Sequence, residues 1–305
     1  PFTNGGGFQL EGEYADTDNY RDRNASRLTR INSRLDFDNA GGTNRVELQL
    51  LDDYLQTPGA LFADELAADR RQAVFPGDYQ DTQSRVLLLG TQQKLNDHWQ
   101  LEGELSLRDD QREFVQSFRG FAGSLSTQDR DAVEFTPRLI GRFDGTVYTI
   151  GFDQLNTDYL LVTAFGPQGN DQQIQALYGQ VTHPLSDRTS ITTGIRHAQV
   201  DNDIDNGGTP VTLDDDVTVG SLGLVFKPDE RWRLYARADQ NYRFAKVDEH
   251  TNVPFGQPVG LDNQTGISYE TGASFTGPKA QVSVNAYLLE LEDELVDHTG
   301  DGGLI

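Results

Sequence analysis

"WQLEGELSLRDD", residues 99 to 110, alternates strictly, and what its two faces meet decides the fold. Trp99, Leu101, Gly103, Leu105 and Leu107 fall on one parity, and Gln100, Glu102, Glu104, Ser106 and Arg108 on the other. That is the period of a strand with two unlike faces. In a soluble sandwich the apolar face meets a core and the charged face meets bulk water. In an outer-membrane barrel the apolar face meets lipid and the charged face lines the lumen.

The 305 residues carry a formal charge of -23, with 36% hydrophobic residues and a negative mean hydropathy, which is polar for one compact domain of that length. The longest apolar run lies around "YLLVTAF" at 159 to 165, far below the ~18 residues of a membrane-spanning helix, whereas spanning strands need no such run. The acidic balance argues against nucleic acid as a partner, because phosphate binding rests on clustered Lys and Arg. Cys is absent, which excludes a disulfide framework and a thiolate metal site. Met is absent too, and Pro1 is followed by no basic and apolar leader, so the chain reads as a matured chain or a fragment.

Short polar turns punctuate the alternating runs at 38–43, 95–98, 143–145, 185–188, 227–231 and 276–279, with Gly, Pro, Asn or Asp where tight hairpins need them. Longer connections rich in Asp, Gly, Asn and Arg are expected near 15–26, 53–81, 109–131, 156–171, 201–214, 243–264 and from 292 onward. Short and long connections alternate. In an up-and-down sheet this gathers the tight turns at one end and the large loops at the other, as in outer-membrane barrels.

Thirteen strands are expected, near 7–14, 27–37, 44–52, 82–94, 99–108, 132–142, 146–155, 172–184, 189–200, 215–227, 232–242, 265–276 and 280–291. The outward sets, such as Leu101 and Leu105, Leu234 and Ala236, or Val282 and Val284, carry no charge; Glu102, Glu104, Arg233, Arg237, Ser283 and Asn285 fall on the other parity. Trp99 and Trp232 each follow a short turn, where an interfacial aromatic girdle belongs, and Tyr148 follows "FDG" in the same way. The fold expected is an all-β, antiparallel up-and-down transmembrane β-barrel. An odd number of strands leaves an open edge, which lipid does not tolerate, and the sequence stops within "HTGDGGLI". The expectation is therefore that residues 1–305 are an internal piece of a longer barrel.

Several local strings resemble one family. "NYRFAKVDEHT" (241–251) resembles the Phe-Arg-x-Pro-x-x-x-Glu-Leu stretch late in the barrels of TonB-dependent outer-membrane receptors. "QTGISYETGASFTG" (264–277) is similar to the Tyr-Glu-x-Gly strand that follows it, and "NAYLLELEDELVD" (285–297) to the next strand. "LQTPGALFADELAADRRQA" (55–73) resembles a Pro-Gly-x-Leu loop of siderophore-type members. Lys246 and Val247 replace the usual Pro-Thr, and His250 stands where Leu is common. The resemblance implies a 22-stranded barrel with an N-terminal plug, in the outer membrane of a Gram-negative bacterium, importing a ferric siderophore or similar metal chelate with energy transmitted by TonB. It implies a transporter, not an enzyme. Neither a plug nor a TonB box is recognisable here, so the resemblance implies a partial barrel that does not transport alone. Implied partners are membrane lipid and lipopolysaccharide, TonB through the plug region, and a small-molecule chelate.

Ligand chemistry is sought in the loops. The segment 109–131 interleaves Arg112, Arg119 and Arg130 with Phe114, Phe118 and Phe121. Forked guanidinium donors beside flat apolar rings suit an anionic Fe(III) chelate; the alternative is a loop packed on its own rings with its charges solvated. The segment 53–81 offers Arg70, Arg71, Phe75 and Tyr79, and its "ADELAADRRQ" suggests a short helix. Asp201, Asp203 and Asp205 have the spacing of a calcium loop, which would give a surface Ca2+ site or a divalent bridge to lipopolysaccharide, but Asn206 and Thr212 stand where that motif needs Gly and Glu. The alternative is a solvated acidic loop. The histidines show no metal-ligand spacing. His197 with Asp201 near one strand end raises a lipid-hydrolysing barrel, which no Gly-x-Ser-x-Gly elbow supports. The alternatives to an importer are a diffusion porin or other non-TonB barrel, and a soluble β-rich binding domain.

Overall fold

The computed structural model describes residues 5–208, 210–251 and 260–295. The strands are β1 (Gly7–Thr17), β2 (Ser26–Asp38), β3 (Gly42–Gln56), β4 (Tyr79–Lys94), β5 (Trp99–Val115), β6 (Leu125–Phe135) and β7 (Arg138–Phe143). They continue as β8 (Thr146–Thr163), β9 (Gly166–Ser186), β10 (Thr189–Asp205), β11 (Val211–Phe226), β12 (Trp232–Arg243), β13 (Gln264–Thr276) and β14 (Gln281–Glu292). All lie in one antiparallel sheet in chain order, and among the described residues a short α-helix, α1 (Ala63–Ala68), and a single 3-10 turn at Glu249–Thr251 interrupt the pattern.

Fourteen strands make thirteen lines across the sheet, because β6 and β7 are one line broken at Pro137. Both halves pair with β5 and with β8 in unbroken register: Leu105 faces Phe135 and Glu102 faces Arg138, while Phe135 faces Gln154 and Arg138 faces Gly151. Proline has no N–H to give to the ladder. Its neighbours keep theirs, Thr136 N–H donating to the Glu104 carbonyl at 3.0 Å and Phe152 N–H to the Pro137 carbonyl at 3.0 Å.

Every expected short turn is present, but the long connections need correction. β8 and β9 run on to Thr163 and Gly166 and close through a tight turn at 164–165, where Gly166 has φ +118°. β10 and β11 pair from Thr189 with Phe226 up to Ile204 with Val211. The expected loops at 156–171 and 201–214 are thus mostly the far ends of long hairpins. Likewise β5 extends to Val115 and β6 begins at Leu125, so 109–131 is mainly strand. These far ends show no two-faced alternation: "NTDY" and "DNDID" are mostly polar on both parities and "LLV" at 160–162 is apolar on both. The end of "NAYLLELEDELVD" and all of "HTGDGGLI" lie outside the described residues.

The two faces separate as the alternation requires. Leu234, Ala236 and Val284 share an apolar outer groove with Leu224, Phe226, Ala273 and Ala286. Glu102 and Glu104 share a polar recess with Arg45, Arg138, Asp153 and Tyr178. That polar face is the concave one, because side chains two strands apart meet on it: Arg196 of β10 reaches across β9 to Asp153 of β8 at 2.6 Å and donates to the Tyr242 hydroxyl of β12 at 2.8 Å. Tyr178 lies flat over Gly151 and Tyr235 over Gly272, where any Cβ would stand 2.2 Å and 2.4 Å from the rings. On the outer face beside the short turns, Trp99, Phe143 and Tyr148 form edge-to-face contacts at 5.5 and 6.2 Å, and Trp232 packs on Phe275 at 5.0 Å. This is the arrangement of an interfacial aromatic girdle.

Candidate functional site

Three loops at the end opposite the tight turns interlock. Arg21 of loop 18–25 donates to the carbonyls of Gly59 (2.6 Å) and Gln72 (2.8 Å), and the Asp22 N–H donates to the Arg71 carbonyl at 2.7 Å. Asp78 accepts from the Ser117 N–H at 2.6 Å and hydroxyl at 2.7 Å, fastening loop 116–124 to loop 57–78. Within the latter, α1 begins at Phe62, whose N–H donates to Glu65 at 2.7 Å.

The residues expected to hold a ligand fall into different environments. Arg119 donates to both Glu65 carboxylate oxygens at 2.9 and 2.5 Å and to the Ala60 carbonyl at 3.0 Å, and lies 3.7 Å from the Phe62 ring centre. Its fork is already engaged; the Arg119 hydrogen bond, with the Phe62 N–H, holds the Glu65 carboxyl down at about 2. Phe118 and Phe121 close a small backbone bridge, remain exposed, and Phe121 stacks on Phe165 at 6.0 Å. Arg112 and Phe114 are in β5 rather than in a loop, with Arg112 4.7 Å from the Phe114 ring centre and donating to Gln80 at 2.5 Å. Tyr79 opens β4 and donates to Glu113 at 2.5 Å, which pushes its phenol up to about 12. Arg71 stands 5.5 Å from the Tyr20 ring and Arg70 is exposed.

Two side chains complete a cluster around Arg112. Arg130 of β6 sits directly opposite Tyr159 of β8, and Arg112 sits opposite Gln128, one pleat along the same inward face. Tyr159 is 4% exposed, and burial, with the Asp248 charge, raises its hydroxyl to about 12, so it is an O–H donor at every physiological pH. Burial lowers the affinity of Arg112 for its proton. The signal for these residues was the parity of "DRD" (129–131), which sends Arg130 to the opposite face from Asp129 and Asp131. Beside the cluster, Asn202 accepts from Asn170 at 3.1 Å and Gln172 at 2.8 Å. The same two amides donate to the backbone of Val247 (3.1 Å) and Ala245 (3.0 Å), drawing the segment after β12 against the inner wall.

The profile of the family described as TonB dependent receptor-like, beta-barrel, matches residues 6–304. The chain belongs to this family. Solved structures of similar fold include the ferric citrate transporter FecA in its unliganded form (TM-score 0.79, 16% identity, covering 95% of this chain and 47% of that one). The copper transporter OprC follows (0.76, 14%, 95% and 50%), as does the ferric yersiniabactin uptake receptor FyuA from Yersinia pestis (0.70, 15%, 96% and 51%). No curated protein matches the sequence. The chain spans about half the length of these solved structures, and identities this low speak to the fold alone. A TonB-dependent receptor barrel belongs to a class of transport receptors rather than to an enzyme class, and the diffusion-porin and soluble-domain alternatives give way to it.

In this receptor barrel the calcium-loop spacing takes another form. Asp201, Asp203 and Asp205 lie on β10, where alternate carboxylates stand about 6.7 Å apart along an extended strand instead of converging as in a wrapped loop. Asp203 accepts from the Thr212 hydroxyl at 2.7 Å, and Asp205 from the Gly207 N–H at 2.9 Å. Among the described residues no group of three or more acidic or His side chains is placed to hold a metal ion.

Proposed function

We propose that this chain forms part of the wall of an outer-membrane receptor of a Gram-negative bacterium that imports an anionic Fe(III) chelate of the siderophore type. Energy would come through TonB, by way of a plug region contributed by the rest of the protein. The family match over residues 6–304 supports the receptor class. The observation that carries the anionic-chelate reading is the mouth of the inner wall, where Arg112 and Arg130 face the lumen with Phe114 and Tyr159 in a chain of net charge -23. Guanidinium groups set beside aromatic rings match a ligand that is negative at its oxygens and flat and apolar elsewhere. The interlocked loops form the rim around that mouth, where Arg70, Arg71, Phe118 and Phe121, with Tyr79 at the start of β4, would contribute contacts to the chelate while Arg119 holds the rim through Glu65. Lipid and lipopolysaccharide would surround the apolar outer band.

The test is uptake of radioactive iron by the source bacterium with the gene intact or deleted, across a panel of hydroxamate, catecholate and carboxylate chelates, with and without a protonophore. Loss of uptake for one chelate class, dependent on the proton gradient, is the expected result. Undiminished uptake of every chelate in the deletion strain would remove the iron reading and leave another substrate of the family.

A further inference from the structure

The segment that leaves β12 is packed more like a core than like a loop. Ala176 and Ala198 face each other across β9 and β10, and beside Val200 their small side chains make room for the Phe244 ring. Next to this recess Asn170 and Gln172 hold the Val247 and Ala245 carbonyls. Glu249 closes the segment on itself, accepting from the Lys246 N–H at 2.6 Å and pairing with Arg243. Phe244, Ala245, Val247 and His250 are all buried, and His250 is the one ionisable side chain among them. Its Nδ1 is buried with no hydrogen-bond partner among the described residues. β9, the strand packed against it, turns Gln168, Asn170, Gln172 and Ile174 inward, β10 turns Asn202 and Ile204 inward, and none of these ionises. Tyr159 of β8 keeps its proton. Of the charges on the segment itself, Arg243 and Glu249 engage each other, Lys246 is exposed, and Asp248 acts on Tyr159. An imidazolium at this place would be a buried cation whose neighbouring carboxylate, Glu249, already serves Arg243.

We propose that residues 244–251 form a pH-sensitive latch on the inner wall, docked while His250 is neutral and released when it takes up a proton. Burial makes the imidazole bind its proton less tightly than an ordinary histidine, and the Glu249 charge offsets part of this. Such a group contributes to docking in full above the ordinary value of 6.5, and the contribution is lost as pH falls from there through the lowered folded value. Release hands the Ala245 and Val247 carbonyls, with the Asn170 and Gln172 amides that hold them, to water, and clears the part of the inner wall that the segment covers. The latch depends on no particular ligand and stands whether or not the barrel carries an iron chelate.

The experiment is hydrogen exchange of the complete receptor in detergent micelles at pH 7.5 and pH 5, both above the ordinary carboxylate range. Exchange is read as protection relative to the free peptide at the same pH, so that the intrinsic pH dependence of exchange cancels. In the parent, peptides covering 244–251 should lose protection about tenfold or more at pH 5, while the β8–β9 hairpin keeps its own. His250→Leu, which fills the same place with an apolar side chain, should hold the segment equally at both pH values. Asn202→Ala removes the acceptor shared by Asn170 and Gln172 and should lower protection of the segment already at pH 7.5. Unchanged protection in the parent from pH 7.5 to pH 5 overturns the latch. An equal loss in His250→Leu also overturns it, by assigning the pH response to another group. Should that variant fail to fold, the His250 ring signal followed by NMR in the parent decides: a midpoint below 6.5 that coincides with the loss of protection supports the latch, and one at or above 6.5 overturns it.

Discussion

The two faces of the same three strands carry opposite charge at the mouth. On the outer face Asp109, Asp131, Asp158, Asp171 and Asp203 are directly cross-strand partners, from β5 through β6, β8 and β9 to β10. On the inner face, one or more residues away on β5, β6 and β8, stand Arg112, Arg130 and Tyr159. Strand parity alone sorts them: "DRD" at 129–131 sends two carboxylates out and one guanidinium in. Lower on β5 the outer set is Trp99, Leu101, Leu105 and Leu107, so the carboxylates begin where the apolar band ends. Since barrel strands tilt, the row of aspartates climbs obliquely above that boundary. The outside of β5 therefore changes from lipid-compatible to anionic within two residues, while the inside is ionic throughout, with Arg112 and Arg130 set beside Asp110 at the mouth.

The sharpest way to break this comparison is to place the same charge on neighbouring residues of opposite face. Leu105 lies midway along the apolar band of β5 and Glu104 is its inward neighbour. Leu105→Arg should destabilise the barrel in a bilayer by about 2–4 kcal/mol, and Glu104→Arg by less than about 1 kcal/mol. Denaturant titrations of the refolded complete receptor in lipid vesicles measure both. Equal costs would mean that the faces are wrongly assigned.

A second perturbation acts on the inner face. Gly151 lies beneath Tyr178, itself 5.3 Å from the Arg196 guanidinium. A methyl group there must displace the ring, so Gly151→Ala should cost about 1–3 kcal/mol, and most of that should vanish in the background of Tyr178→Ala. The same titration run as a double-mutant cycle checks this; additive costs would show that the ring does not occupy that space.

Much of this was legible in the sequence and some of it could not be. Alternation in "WQLEGELSLRDD" gave the faces of β5, and Gly, Pro, Asn and Asp marked the six expected short turns, but not the tight turn at 164–165. The upper hairpins were invisible because "NTDY" and "DNDIDNGG" lack an alternating apolar side, while "LLV" at 160–162 is apolar on both parities, so neither shows the period of a two-faced strand. Arg119 read as a free donor because its partner, Glu65, is 54 positions away and is supplied by the meeting of two loops. Arg130 was seen as part of a mixed run, but its role depends on β8 bringing Tyr159 opposite it.

The rim gives a pH prediction. Glu65 falls from 4.5 to about 2 in the folded protein, so its pairing with Arg119 helps hold the loops fully above pH 4.5 and is lost as pH falls through about 2. Hydrogen exchange of loop 57–78 should accelerate across that window in the parent. Glu65→Gln should show the faster exchange already at neutral pH and little further change. Identical exchange in both would show that the pair does not hold the rim.

The smallest expected effect lies in the aspartate row, and its sign runs the other way. Asp131 and Asp171 are raised above the ordinary value of 3.8, first by burial and then by neighbouring aspartates, with Asp158 acting on both. A carboxyl raised on folding binds its proton more tightly in the folded state, so its contribution is favourable at low pH and is lost as pH rises through the folded value. At neutral pH the row therefore works against folding. Asp158→Asn removes the charge between two aspartates and should stabilise the barrel by about 0.2–1 kcal/mol per relieved pair at pH 7 in low salt. At pH 3, below the raised values of Asp131 and Asp171, the gain should shrink towards zero, and added salt should shrink it at pH 7. Denaturant midpoints of parent and variant at both pH values measure it. A gain that persists at pH 3 would place its origin in side-chain packing and not in charge, and the two faces would then differ in composition without opposing each other electrostatically.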